Sequence, residues 1–224
     1  MQSVSAPYWI AVTDLHGSVR RLAHVPGAAE AEGILIAGDI TTAGGIASAS
    51  RVLEEAASVN SHLMALFGNM DRPELASWLD EQGIGLHRAV RALTPDTAIM
   101  GVGGSPFTPM GTPSEFPENR IAEWLDEMWM HARSFRYVVL ISHTPPRDTR
   151  CDVLGDGRHA GSVAVRDFIM ERQPAVCLCG HIHESPAEDR LGRTVVVNPG
   201  ALGDGGYAVL TLGDGVTVER RRLV

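Results

Sequence analysis

The chain has 224 residues, enough for one large domain or two small ones, and no obvious linker, repeat or low-complexity tract divides it, so a single domain over 1–224 is expected. A net charge of −8 leaves no clear nucleic-acid patch, and the one basic run, Arg220-Arg221-Arg222, reads as a solvated strand end. All 19 cations are arginine, which excludes a P-loop lysine, a Schiff-base lysine and a carbamylated-lysine metal bridge.

Short apolar runs recur along the chain, and each stops at polar residues suited to chemistry. Residues 8–12 run into Thr13-Asp14-Leu15-His16-Gly17, and 34–37 run into Gly38-Asp39. Ile46, Ala49, Leu53, Ala56 and Ala57 then fall on one face of a helix. Residues 63–67 run into Gly68-Asn69-Met70-Asp71, and Leu75, Trp78 and Leu79 mark a second helix that Gly83 ends. The Gly- and Pro-rich segment 101–117 exceeds ordinary loop lengths, so it reads as a functional flap or an ordered surface loop. Ile121, Trp124, Leu125, Met128, Trp129 and Ala132 keep helical spacing, and that stripe reads as a helix packed on a sheet rather than as a dimer surface. Residues 138–141 run into Ser142-His143, and a last helix extends from Ser162 as N-cap to Gln173, where Pro174 stops it. Residues 175–179 form a fifth apolar run, ending in Gly180-His181-Ile182-His183. Strands near 194–197, 207–212 and 217–219 close the chain between Gly-rich turns. Continuous apolar runs suit strands buried on both faces, and their alternation with helices predicts an α/β sandwich.

No stretch has the length of a membrane span, and the N-terminus lacks the pattern of a secretory leader. Of three cysteines, Cys177 and Cys179 alternate along one strand as core residues do, which points to reduced thiols and a cytoplasmic setting.

In open α/β sheets ligands gather at the carboxyl ends of strands. The residues at those ends are Asp14, His16, Asp39, Asn69, His143, His181 and His183. If residues 181–183 continue the preceding strand, both histidines face one spot. This oxygen and imidazole set, without thiolate, suits Mn²⁺, Fe or Zn²⁺. It is too large for one transition metal and suits two, with one carboxylate bridging.

Asp14-x-His16, Gly38-Asp39, Gly68-Asn69-x-Asp71, His143 and Gly180-His181-x-His183 resemble the signature of the calcineurin-like metallophosphoesterases, in the family's order and over nearly the whole chain. Gly103-Gly104-Ser105, His143-Thr144-Pro145-Pro146, His159-Ala160-Gly161-Ser162 and residues 180–184 are similar to the predicted phosphoesterases related to the Icc cyclic-nucleotide phosphodiesterases. The resemblance implies a four-layer α/β/β/α sandwich and two divalent metal ions, manganese foremost, with iron, zinc and nickel as alternatives. Asp14, His16 and His183 would hold the first metal, Asn69, His143 and His181 the second, and Asp39 would bridge them. A hydroxide between the metals would attack a small-molecule phosphate ester, with a phosphodiester favoured over a monoester. Asn198-Pro199-Gly200 resembles a structural turn near the site.

The chain departs from the family at Met70, where a histidine usually steadies the phosphate or protonates the leaving oxygen. A thioether has no transferable proton, so Met70 cannot be a general acid. Asp71 is then open to two readings: a supporting catalytic residue, or the cap of the following helix with Pro73 and Glu74. His159 is a candidate replacement acid, and of Arg72, Arg147, Arg150 and Arg158 one is expected to touch substrate. Met70 also keeps two other readings open, a non-catalytic interaction module on the same fold and a weakly active phosphomonoesterase. A dinuclear amide hydrolase is disfavoured by Asn69 as ligand and by the missing lysine. A homo-oligomer is kept as a further expectation.

Overall fold

In the computed structural model, residues 6–224 are described. The chain runs β1 (Tyr8–Val12), β2 (Gly33–Ala37), α1 (Ile46–Val59), β3 (Leu63–Leu66), α2 (Glu74–Glu81), β4 (Val90–Thr94), β5 (Thr97–Val102), α3 (Glu118–Ala132), β6 (Tyr137–Ser142), α4 (Val163–Arg172), β7 (Val176–Leu178), β8 (Ala187–Leu191), β9 (Thr194–Asn198), β10 (Gly206–Leu212) and β11 (Val216–Arg222). Two sheets form, ordered β11-β10-β1-β2-β3 and β4-β5-β6-β7-β9-β8. The strands that carry motifs are parallel within each sheet, β1 with β2 and β3 in one and β6 with β7 in the other. Their carboxyl ends therefore emerge at one rim.

Alternation along each strand builds the layers. Ile10, Val12, Ile34, Ile36 and Ala65 face a core shared with Leu53, Ala56, Leu75 and Leu79 of α1 and α2. Met100, Leu140 and Cys177 face a second core with Trp124, Leu125, Met128 and Phe168 of α3 and α4. Between the sheets, Trp9, Ala11, Leu35 and Leu66 meet Ile99, Val139, Ile141 and Leu178. The order is helices, sheet, sheet, helices, the four-layer α/β/β/α sandwich. No described helix is long and apolar enough to cross a membrane.

The helices follow the sequence pattern closely. Ser162 caps α4 by accepting the Val165 N–H, and Gln173 ends it in the left-handed region at φ 54°. In α1, however, Ile46 is 40% exposed, and Val52 takes the core position instead. The strands β4, β5 and β8 were not expected. The segment 101–117 thus begins inside a buried strand, and the loop proper starts after Val102. β11 reaches Arg222, so the basic run lies in an edge strand, with Arg220 half-buried and Arg221 and Arg222 exposed. Cys151, Cys177 and Cys179 are free and buried.

Candidate metal centre

Four of the seven candidate ligands have left-handed backbone: Asp14 (φ 54°), His16 (45°), Asp39 (49°) and His181 (67°). Such residues are rare off glycine and carry strain of order 1–3 kcal/mol each, so the surrounding structure must impose the conformation. The expectation that residues 181–183 continue strand β7 is corrected here. His181 turns left-handed and the Ile182 N–H reaches back to the Gly180 carbonyl at 2.8 Å. Both imidazoles still face the rim, through a tight turn rather than strand alternation. Two glycines let the loops close on each other. A Cβ at Gly68 would run into Asp39 Oδ1, and one at Gly180 into Thr13 Oγ1 with Asp14 Oδ2 only 2.6 Å away.

Asp14, His16 and His183 form one converging group. The Nε2 atoms of His16 and His183 lie 3.2 Å apart, and His183 Nε2 is 3.3 Å from Asp14 Oδ1. His16 Nδ1 is tied to Thr42 Oγ1 at 3.1 Å, which leaves Nε2 for the centre. Asp14 is buried, and its carboxylate also accepts the His181 backbone N–H. Burial works to raise the Asp14 pKa, but the His183 hydrogen bond and the nearby imidazoles outweigh it and bring it down to about 2. The Asp14 bond raises the pKa of His183 against the effect of burial.

Asp14, Asp39 and His143 form a second group. His143 is fully buried, and its Nδ1 donates to the Ala37 carbonyl at 2.8 Å. Its Nε2 therefore faces Asn69 Oδ1 at 3.0 Å and Asp39 Oδ1 at 3.4 Å. Asp39 Oδ2 lies 3.7 Å from His16 Nε2, so the two oxygens of one carboxylate face the two groups. Burial pushes His143 down, yet Asp39 and Asp14 more than offset this and hold its pKa near 9. The His181 ring packs edge-on against His143, with centroids 5.3 Å apart, and burial with the His143 charge lowers its pKa to about 4.

A second set of groups positions the first. The Asp71 carboxylate accepts N–H bonds from Ile40 (2.9 Å), Thr41 (2.7 Å) and Gly68 (2.9 Å) and the Thr41 hydroxyl (2.8 Å). It is completely buried and makes no cap, since the N-cap position of α2 is Pro73, with no side-chain capping bond. The cap reading of Asp71 is thereby corrected, while the supporting place remains: it ties the Gly38-Asp39 loop to the Gly68-Asn69 loop. Asn69 Nδ2 donates to Thr112 Oγ1 at 3.0 Å, which turns its Oδ1 toward His143. Ser114 bonds the carbonyls of Asn69 and Asp71, so the segment after β5 is an ordered loop docked on this motif. Asn198 donates to the Ile182 carbonyl at 2.9 Å and accepts from Gly200, as a structural turn should. Thr42, Thr112 and Ser114 carried no recognisable spacing in the sequence.

The remaining candidates have their contacts outside this cluster. His159 Nδ1 bonds Asp152 Oδ1 at 2.7 Å, and Asp152 also gathers N–H groups of its own loop, so this pair braces residues 148–161. Arg72 Nε donates to the Ala43 carbonyl, Arg147 lies 3.9 Å from Asp148, and Arg158 pairs with Asp156. Arg150 bonds Asp189 and the Glu188 carbonyl. Met70 donates its backbone N–H to Asp39 Oδ1 at 2.8 Å, and its side chain is partly buried.

The donor set fits divalent cations. Two buried carboxylates, imidazole nitrogens and an amide oxygen converge, and among the described residues the partners of Asp14 and Asp39 include no arginine to neutralise them. Asn69 Oδ1 and His143 Nε2 are two acceptors aimed at one place whenever the imidazole is neutral.

Residues 95–222 match a family model described as metallophosphoesterase, calcineurin superfamily. MJ1162 of Methanocaldococcus jannaschii is 32% identical over 200 residues, covering 85% of this chain and 86% of its own. The 3′,5′-cyclic adenosine monophosphate phosphodiesterase CpdA of Escherichia coli K12 is 29% identical over 177 residues, 74% of this chain but only 59% of that one. Among solved structures, TT1561 of Thermus thermophilus superposes with a TM-score of 0.73 at 18% identity, covering 97% of this chain and 99% of that one.

Proposed function

We propose that this chain, which belongs to the calcineurin superfamily of metallophosphoesterases, hydrolyses a phosphodiester at a pair of divalent cations. Hydrolysis of phosphoric esters with divalent metal ions is the chemistry of the family, and the chain is an enzyme of that class. The observation that carries the dinuclear reading is Asp39, whose Oδ1 faces His143 and whose Oδ2 faces His16. In this reading Asp14, His16 and His183 hold one cation, Asn69, His143 and His181 the other, and Asp39 spans both. Cations bound there supply Lewis acidity, activate water at neutral pH and offset the charge on phosphate.

The chain's own groups set that stage. The Ala37 carbonyl fixes the His143 tautomer, Thr42 fixes His16, and Thr112 orients the Asn69 amide. Asp71 holds the two central loops in register. Diester preference is supported by the likeness to CpdA and by Met70, which supplies no proton to a poor leaving group. Manganese is the proposed metal, with iron, zinc and nickel as alternatives.

The test is metal content together with turnover of bis-p-nitrophenyl phosphate by protein reconstituted with Mn²⁺. Two metals per chain and turnover of the diester above that of p-nitrophenyl phosphate are expected. One metal per chain at full activity removes the dinuclear reading, and turnover of the monoester alone removes the diester. Met70 favours one further reading, a metal-binding interaction module, for which both esters would remain intact.

A further inference from the structure

A cavity of about 400 Å³ opens beside the candidate centre, walled by His16, Thr42, Gly44, Ser48, Arg51 and Glu55. It adjoins a candidate ligand directly, since His16 is part of its wall and Thr42 Oγ1 holds His16 Nδ1 at 3.1 Å. Its floor is one face of α1, where Ser48, Arg51, Val52 and Glu55 recur at i, i+3, i+4 and i+7. Arg51 bonds only its own helix, Nε to the Ala47 carbonyl at 3.3 Å and a terminal nitrogen to Ser48 Oγ at 3.5 Å. Its other guanidinium donors have no hydrogen-bond partner among the described residues. Arg51 is exposed and makes no ion pair among the described residues, although Glu55, four residues on, lines the same cavity.

We infer that this cavity receives a second phosphoryl group, carried on the alcohol side of the substrate next to the scissile diester, with Arg51 as its anchor. The inference rests on the phosphodiesterase reading above. Thr42 and Ser48 offer hydroxyls and Arg51 a planar fork, a set of donors matched to the three terminal oxygens of a phosphoryl group. Glu55 lies one turn beyond Arg51, about 6 Å along the helix axis at 1.5 Å per residue and about 10 Å from Ser48, and repels an anion from that end. The second phosphate is thereby confined to the end adjoining His16. Arg51 sets specificity; it is not a group that moves protons in the reaction.

The experiment compares thymidine 5′-(p-nitrophenyl phosphate) with the same ester bearing a 3′-phosphate, in the wild type, Arg51→Gln and Arg133→Gln. Arg133 caps α3 on the opposite outer layer and controls for net charge. At low salt the wild type is expected to favour the 3′-phosphorylated ester about 10-fold in kcat/KM, through KM, the scale of one charge-assisted contact. Arg51→Gln should bring that ratio to about one while Arg133→Gln keeps it. A wild-type ratio near one, or a ratio unchanged in Arg51→Gln, overturns the inference. Calorimetry with thymidine 3′,5′-bisphosphate and thymidine 5′-phosphate separates the two readings. If neither ester is cleaved the phosphodiesterase reading fails, and the binding comparison still decides the subsite. Tighter binding of the bisphosphate that Arg51→Gln abolishes supports it, and equal affinities overturn it.

Discussion

The Asp71 carboxylate and the Thr41 backbone N–H meet at 2.7 Å, joining the loop that carries Asp39 to the loop that carries Asn69. Asp71→Asn turns one of the two accepting oxygens into a donor facing backbone N–H groups that have no other outlet. Each unsatisfied group costs about 1–3 kcal/mol, so metal-free Asp71→Asn should be less stable in urea unfolding by about 2 kcal/mol or more. Its metal affinity should fall as well. A variant of wild-type stability that lost only turnover would show that Asp71 works on the substrate and does not brace the loops.

Gly180 allows the His181 loop to pass against Thr13 and Asp14 with no side chain between. Gly180→Ala places a methyl group where Thr13 Oγ1 sits, so Asp14 must shift. We expect metal affinity at least about 10-fold weaker by calorimetry, in line with the known sensitivity of metal sites to supporting contacts. Gly155→Ala, where a Cβ meets nothing within 4 Å, serves as the control. Equal affinities in the two variants would remove the close-approach argument.

His87 gives the fold an acid limb of its own. Its Nδ1 accepts the Gly103 N–H at 3.1 Å, and its ring packs between Phe67 and Trp124. Burial, helped by the Arg88 charge, lowers its pKa from 6.5 to about 4. The unfolded chain therefore takes up a proton below about pH 6.5 that the folded chain refuses until about pH 4. Stability from this group is complete above about pH 6.5 and is lost between about pH 6.5 and 4, by about 3 kcal/mol at most. Urea midpoints across that window should fall less steeply in His87→Asn than in the wild type. Parallel curves would mean that His87 does not titrate differently in the two states.

What the sequence shows most clearly is whatever repeats or stops abruptly. The runs at β1, β2, β3, β6 and β7 are buried on both faces and read as strands without ambiguity. β8, Ala187-Glu188-Asp189-Arg190-Leu191, is a polar edge strand whose alternation is too weak to separate from loop. β4 is half-buried along most of its length and gives an equally weak pattern, and β5 was partly absorbed into the long segment that follows it. At the centre, the candidate ligands stand at strand ends where residue type and place coincide. The conformation of His181 was not readable, because a left-handed histidine is imposed by Asp14 accepting its N–H and not by local preference. Thr112 and Ser114 were invisible too, since a hydroxyl that reaches Asn69 or Asp71 from 43 residues away leaves no local pattern.

Met70 separates the two duties of its position. Its backbone N–H holds Asp39 at 2.8 Å, a bond that any residue but proline makes, while its thioether contributes no proton. Met70→His should therefore keep the loop and its metals and add a group capable of general acid catalysis, worth about 10²–10⁴-fold where the leaving group needs a proton. Alkyl phosphodiesters, whose alkoxide leaves poorly, should gain on that scale, whereas p-nitrophenyl esters, whose phenolate leaves unaided, should gain little. Metal content measured in parallel should match the wild type, which assigns the gain to the imidazole rather than to better loading. Equal acceleration of both ester classes would mean that proton delivery is not what Met70 withholds. The leaving group would then be handled by a residue outside this loop.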